Sequence, residues 1–142
     1  MPRVEMNEPT VPQSHSPAAT ALSLLGAAFI IGVGAGYVIA PEKMGPQFGL
    51  PDWPRGRAAG FGTVKGVRDV VTGLIVLALL ATRQRRALGV ATVTIALIPT
   101  GDMLTILLRR GSTATALGVH GLTASLVAAT GALLLKEARS CD

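Results

Sequence analysis

The stretch LSLLGAAFIIGVGAGYVIA, residues 22–40, decides the fold of this chain. It holds no charged side chain, and a helix that crosses a bilayer needs about 20 consecutive apolar residues. Because the bilayer core offers the backbone no water, such a segment must satisfy its own hydrogen bonds as a helix. We therefore predict a membrane-spanning helix over about residues 18–40, which Pro41 ends.

Three more apolar stretches follow this one, and they predict helices over about residues 63–81, 87–108 and 113–135. Short turns join the last three helices, so neighbours along the chain are expected to pack antiparallel. The predicted fold is all-α: a four-helix transmembrane bundle that runs up-down-up-down, with the N- and C-termini on the same side.

The remaining segments are predicted to flank this transmembrane domain, which covers residues 17–136. Residues 1–16 are polar and contain three prolines, which predicts a disordered N-terminal tail. Residues 41–62, rich in proline and glycine, are predicted to form a lid-like loop, and residues 137–142 a C-terminal tail.

The composition is typical of a membrane protein. Hydrophobic residues make up 49% of the chain and charged residues only 15%. Aromatic residues amount to 4% and do not interleave with a basic patch, so no nucleic-acid partner is expected. The single cysteine, Cys141, excludes a disulfide within one chain. We expect a multi-pass integral protein in contact with membrane lipid, in the endoplasmic reticulum of a eukaryote or the plasma membrane of a bacterium.

The charges leave the orientation in the membrane open. Side A is here the side of the N-terminus, of the turn at residues 82–86 and of the C-terminus. Side B is the side of the 41–62 loop and of the turn at residues 109–112. Side A carries six Lys and Arg residues and side B five, although the compact cluster from Arg83 to Arg86 favours a cytoplasmic side A.

Glycine and alanine are dense in the predicted helices, and Gly32 and Gly36 form a GxxxG pattern. Small residues let two helices approach closely in lipid. Two interpretations stay open: the pattern packs the bundle internally, or it forms the seam of a homodimer.

All four predicted helices bring a polar side chain to the side-B half of the membrane. Asp102 lies seven residues before Arg109, and His120 seven residues after Thr113, so both are about 10 Å inward. The other polar groups of that half lie on the first two helices: Tyr37, Lys65, Arg68 and Asp69. A charge deep in a bilayer costs about 2.5–3.5 kcal/mol on insertion scales, so this convergence predicts a functional site.

Two carboxylates with an arginine and a histidine suit acid–base chemistry. We expect Asp69 and Asp102 to share the base and acid roles, with Arg68 orienting them. His120 is expected to relay protons or to hold a substrate oxygen. Such a set suits the opening of an epoxide, by hydrolysis or cyclisation, or the isomerisation of a lipophilic metabolite. Substrate-binding residues are expected in the same region: Lys65, Tyr37, Thr72 and Trp53.

The same residues also have structural interpretations. Arg68 and Asp102 could pair to hold the bundle together, and Lys65 could snorkel to the membrane surface. Tyr37 and Trp53 could belong to an interfacial aromatic belt. No spacing favours a metal site, and the expected chemistry needs no cofactor. A proton-coupled transporter and a non-catalytic accessory subunit remain as alternatives to an enzyme.

Short motifs in this sequence resemble one family: FGLP at residues 48–51, KGVRD at residues 65–69 with Gly73, PTGD at residues 99–102, and the lone His120. In order and spacing they resemble the small four-helix integral membrane proteins of unknown function found in fungi and actinobacteria, over about residues 22–135. Members often lie near specialised-metabolite genes. The resemblance implies a tailoring enzyme whose charged positions correspond to Arg68, Asp69, Asp102 and His120.

Overall fold

The structure, a computed structural model, describes residues 16–140. The regular elements within these residues are helices, with no strand among them, which confirms the predicted all-α class. The predicted N-terminal tail lies outside the described residues apart from Ser16, and Cys141 lies outside them as well.

The first helix, α1, spans Pro17–Ile39. The Ser16 hydroxyl oxygen accepts a hydrogen bond from the Ala19 amide, and Pro17 occupies the first turn, where an amide donor has no helical partner. The helix ends at Ala40, immediately before Pro41.

The segment predicted as a lid-like loop is more helical than expected. It contains a one-turn helix, α2, Pro41–Met44, and two 3₁₀ turns, Gly45–Phe48 and Gly56–Ala59. The long helix α3, Gly60–Ala81, begins before the predicted start at residue 63. Its early glycines are poor helix formers, but Gly62 lies against Pro41, where a Cβ would come within 2.8 Å.

The third apolar stretch divides at Ala96 into α4, Arg85–Ile95, and α5, Leu97–Leu108. Pro99 has no amide proton to donate to the carbonyl of Ile95, so an interruption is expected at this place.

The fourth apolar stretch contains three consecutive elements. They are α6, Thr113–Thr115, a π-helical turn, Ala116–Gly121, and α7, Leu122–Arg139. The helix therefore continues past the predicted end at residue 135 and ends at Arg139, halfway through the segment predicted as a C-terminal tail.

The long helices pack as two antiparallel pairs that cross at glycines. In the first pair, Gly34 of α1 meets Gly66 of α3, where a Cβ at position 66 would lie 2.5 Å from the Gly34 carbonyl oxygen. In the second pair, a Cβ at Gly131 of α7 would lie 3.2 Å from the carbonyl oxygen of Gly89 of α4. Because glycine has no side chain, the two helix backbones of each pair can approach closely.

The GxxxG pattern forms neither crossing. A Cβ at Gly32 would meet no described atom within 4 Å, and one at Gly36 would meet the Met44 side chain. Internal packing therefore does not explain Gly32, which lies on an open face of α1.

Two apolar clusters fill the interior, one at each end. The side-A cluster consists of Ala19, Ala27, Val76, Leu88 and Leu134. The side-B cluster consists of Tyr37, Phe48, Ile106 and Ala116. Because Ala19 of α1 and Leu134 of α7 belong to the same cluster, the start of α1 and the end of α7 lie at the same end of the molecule.

Three helical stretches of the described chain are long and apolar enough to cross a membrane: Pro17–Ile39, Arg85–Leu108 and Thr113–Arg139. Large apolar side chains point outward along them, with Leu25 68% exposed and Leu108 83% exposed. Such surface is stable against lipid, which indicates a membrane protein. Four crossings were predicted. The fourth, α3, is not among the three stretches: its 22 residues are long enough, but it carries the charged residues Lys65, Arg68 and Asp69.

Candidate functional site

A buried ion pair on α3 forms the centre of the candidate site. The Lys65 ammonium lies 2.5 Å from Asp69 Oδ2, one helical turn away. The Asp69 side chain is 2% exposed and that of Lys65 is 13% exposed. Lys65 therefore does not snorkel to the surface; it supplies the charge that allows Asp69 to be buried.

Arg68 lies at the edge of this pair. Its side chain is 54% exposed, and its Nε lies 3.9 Å from Asp69 Oδ1. The ion pair that Arg68 forms is thus with its own neighbour along the chain. Within residues 16–140 no ion pair joins Arg68 to Asp102, so a bundle held together by that contact is not supported.

A second pair joins α5 to the π-helical turn. His120 Nδ1 lies 3.8 Å from Asp102 Oδ2, which is too far for a hydrogen bond and close enough for an ion pair when the imidazole is protonated. Asp102 is 22% exposed, so it is the more open of the two carboxylates in the site.

The backbone at Phe48 fixes which nitrogen of His120 carries a proton. His120 Nε2 lies 3.1 Å from the Phe48 carbonyl oxygen, which can only accept, so Nε2 donates. In a neutral imidazole Nδ1 then holds a lone pair, and this lone pair faces the Asp102 carboxylate. A proton on Nδ1 would place a cationic imidazolium beside the Asp102 carboxylate.

Three aromatic side chains cover the charged groups. The Lys65 ammonium lies 4.7 Å from the Tyr37 ring centroid and 5.5 Å from that of Phe48. The Trp53 ring packs against the Tyr37 and Phe48 rings, with centroids 5.8 and 5.6 Å away. The Phe48 ring also meets the His120 imidazole edge-on at 4.8 Å. Tyr37 and Trp53 therefore form a wall of the site.

Phe48 links the two charged pairs, because its ring lies 5.5 Å from the Lys65 ammonium and 4.8 Å from the His120 imidazole. The structure thus brings together most of the residues that the sequence assigned to one site, from α1, α3, α5 and the π-helical turn. Thr72 is the exception, because its hydroxyl donates to the Arg68 carbonyl at 2.8 Å within α3. Among residues 16–140, no three His, Cys, Asp or Glu side chains form a group that could hold a metal ion.

Phe48 is the site residue that the sequence analysis did not assign. It contributes a ring and a carbonyl, and the next residue, Gly49, adopts a left-handed φ of 100° and accepts a hydrogen bond from the Ser112 amide at 2.8 Å. A glycine directly after an aromatic residue in the FGLP motif was the available signal. These two carbonyls tie the 41–59 segment to the last helical stretch, so a lid there must break both bonds to open.

Irregular helix positions both members of the Asp102–His120 pair. Asp102 follows the interruption at Ala96 and Pro99, and His120 lies within the π-helical turn. Such turns occur often at functional sites, because the extra residue changes the direction of a side chain.

Fold and site together define a helical membrane protein with ion pairs buried at one end. A family model described as "Domain of unknown function (DUF4267)" matches residues 27–134, a range that contains every residue of the site. The chain belongs to this family, which confirms the expected resemblance to an uncharacterised family. Comparisons with curated proteins and with solved structures give no match.

Proposed function

We propose that the protein is a membrane-embedded enzyme that performs acid–base chemistry on a lipophilic metabolite without a cofactor. The observation that carries the proposal is the Asp102–His120 pair, whose Oδ2 and Nδ1 lie 3.8 Å apart while the Phe48 carbonyl holds Nε2 of the imidazole. A pair of this kind can donate its proton in one step and accept one in the next, which general acid–base catalysis requires.

In this proposal Asp102 meets the substrate, because it is the more exposed carboxylate of the site. Asp69 was expected to share the acid and base roles, but its Oδ2 is bound by the Lys65 ammonium at 2.5 Å. We therefore assign Asp69 a positioning role: it holds Lys65, whose charge acts on Asp102. His120 relays protons to and from Asp102.

Epoxide opening is the reaction that we favour within this class. The protonated pair donates its proton to the epoxide oxygen as the C–O bond breaks, while the oxygen of a water molecule or of an internal hydroxyl attacks the carbon. The proton lost by the attacking oxygen returns to the pair, so the enzyme ends as it began. The product is a diol or a cyclic ether. Isomerisation, in which a proton moves between two carbons, would use the same cycle.

The proposal includes a membrane arrangement. It has four crossings, with α3 as the fourth and its charged residues in the side-B half. The site then opens towards side B, the 41–59 segment covers it as a lid, and the substrate arrives from lipid. This arrangement suits an endoplasmic reticulum membrane or a bacterial plasma membrane equally well.

Asp102→Asn tests the catalytic role. We expect turnover of an apolar epoxide by the purified protein in liposomes, followed by mass spectrometry of the diol or ether, to fall at least about 100-fold because an amide cannot take up the proton. Asp52→Asn is the matched control, since Asp52 is an exposed carboxylate outside the site, and should keep turnover. Full turnover by a folded Asp102→Asn protein would rule out the acid–base role.

A proton-coupled carrier is the second candidate, because the partly exposed Asp102–His120 pair could also bind and release a proton during transport. Product formation in detergent, where no gradient exists, supports the enzyme. Uptake of an unaltered compound into liposomes, driven by a pH gradient, supports the carrier. Unchanged function of an Arg68→Gln, Asp69→Asn double variant would support an accessory role instead.

A further inference from the structure

An open groove lies at the end of the molecule opposite the candidate site. It has a volume of about 580 Å³ and lies between α1, α3 and the turn that leads into α4. Its apolar wall includes Leu24, Leu77 and Leu80, and its polar end includes Thr20, Arg83 and Arg85. Among the described residues that line it there is no acidic side chain. The groove is therefore apolar along one wall and positively charged at one end.

The Arg85 guanidinium has incomplete hydrogen bonding. Its Nη2 donates to the Thr20 hydroxyl at 2.7 Å, whereas its Nη1 is buried and has no acceptor. A buried donor without an acceptor is unfavourable, and an arginine cannot relieve it by losing its proton. Because Arg85 lines the groove, an acceptor bound there would complete the hydrogen bonding of its guanidinium.

The turn holds a second guanidinium at the same place. Arg83 has a left-handed φ of 56°, and the Arg83 and Gln84 amides each donate at 3.0 Å to carbonyls of α3, those of Leu80 and Leu79. The helix α4 begins at Arg85 with no side chain capping its N-terminus, so the positive end of its dipole adds to the two arginines. Paired arginines with this surrounding are suited to a phosphate group.

We propose that this groove binds an anionic phospholipid, with the phosphate at Arg83 and Arg85 and an acyl chain along Leu24, Leu77 and Leu80. A lipid fits better than free phosphate because the wall is apolar and Leu24, which is 47% exposed, lies seven residues inside a membrane-spanning stretch that begins at Pro17. The site is on side A and does not depend on the chemistry proposed for side B. A basic cluster at a membrane surface also attracts the anionic lipids of a cytoplasmic leaflet.

The experiment measures thermal unfolding of the full chain in neutral detergent with added short-chain phospholipids. We expect phosphatidylglycerol at a concentration well above its Kd to raise Tm by about 5 °C or more. Phosphatidylcholine of the same chain length should raise it by less than half as much. Inorganic phosphate and glycerol 3-phosphate at equal concentration should not raise it, because they lack the acyl chain.

Variants assign the effect to the groove. The exposed Arg83→Gln, which loses no buried contact, should remove at least half of the phosphatidylglycerol shift, and Arg83→Gln with Arg85→Gln should remove all of it. The matched control is Arg109→Gln with Arg110→Gln, since Arg110 has the same φ of 56° in the turn on side B. The control should keep the shift.

Four outcomes would overturn the proposal, three of them seen with the lipids and the groove variants. They are equal shifts by phosphatidylglycerol and phosphatidylcholine, a shift of the same size by inorganic phosphate, and an unchanged shift in the Arg83→Gln, Arg85→Gln protein. A loss of the shift in the side-B control would overturn it as well, because the effect would then reflect net charge rather than this groove.

Discussion

The Lys65–Asp69 pair is the contact on which the side-B interior depends most. Asp69 is 2% exposed, and taking a charge out of water costs several kcal/mol unless a partner offsets it. Removal of Lys65 leaves the buried Asp69 charge facing the more distant and exposed Arg68, whose Nε lies 3.9 Å from Asp69 Oδ1. Removal of both leaves an apolar interior, which is far less unfavourable.

Lys65→Met should therefore lower the free energy of unfolding by about 3–5 kcal/mol. Lys65→Met with Asp69→Leu should recover most of this loss. Lys43→Met is the control at an exposed position and should change stability by less than about 0.5 kcal/mol. Unfolding in mixed micelles with increasing sodium dodecyl sulfate measures the stability of all three variants. A Lys65→Met protein as stable as the unaltered protein would contradict a stabilising role for the ion pair.

The sequence places these two residues on one helix face, since side chains four apart are neighbours. It does not decide which cation serves Asp69, because Lys65 and Arg68 can both reach it along α3. The choice is made by tertiary contacts: the Tyr37 and Phe48 rings hold the Lys65 ammonium inside. Phe48 itself comes from a distant segment, which explains why its part in the site could not be predicted from periodicity.

Among the helices, the α1–α3 crossing carries the closest packing. A Cβ at Gly66 would approach backbone atoms of α1, namely the Gly34 carbonyl oxygen at 2.5 Å and the Val38 amide nitrogen at 2.8 Å. No side-chain rotation can relieve such contacts, so the helices would have to separate.

Gly66→Ala should consequently destabilise the protein by about 1–3 kcal/mol. Gly32→Ala is its control on the open face of α1, and it should stabilise the protein by up to about 1 kcal/mol because alanine is the better helix former. The same micelle unfolding experiment compares them. If Gly32→Ala were as damaging as Gly66→Ala, Gly32 would have to be covered, as the seam of a homodimer would require.

The positions of the helices could be predicted from the apolar stretches, but the irregular turns within the helices could be predicted less well. Pro99 indicates an interruption of the third helical stretch, and this interruption lies at Ala96. The π-helical turn could not be predicted, because nothing in local propensity distinguishes residues 116–121 from an α-helix. Its hydrogen-bond pattern depends on the fit against α5.

For the molecule as a whole, α3 determines how many times the chain crosses the membrane. It packs antiparallel to α1 along its length, with Gly66 beside Gly34 and Gly73 beside Ala27. The proposed fourth crossing rests on this packing, because a helix that follows a membrane-spanning neighbour along its length would pass through the same thickness of bilayer. In that arrangement the Lys65–Asp69 ion pair lowers the cost of placing α3 there, since the two charges neutralise each other.

Cysteine labelling tests this arrangement in a Cys141→Ser background, with single cysteines at four exposed positions. Asp52→Cys and Ser112→Cys should react with a membrane-impermeant maleimide from one face of sealed vesicles. Gln84→Cys and Ser140→Cys should react from the other face. Labelling after permeabilisation serves as the control for reactivity, and reaction of Asp52→Cys and Gln84→Cys from the same face would mean that α3 does not cross.

The π-helical turn has a consequence for the rotational phase of the last helical stretch. One extra residue rotates everything after it by about 100° relative to a straight helix. Residues 116–121 pack against α5, whereas Gly131 and Leu134 beyond them face α4 and the side-A cluster. A single helical wheel drawn for residues 113–139 is therefore misleading. It shows the face that packs against α5 and the face that packs against α4 in a wrong angular relation. Deleting one residue of the turn before His120 is therefore expected to rotate His120 away from Asp102 while the contact between Gly131 and Val93 holds α7 against α4.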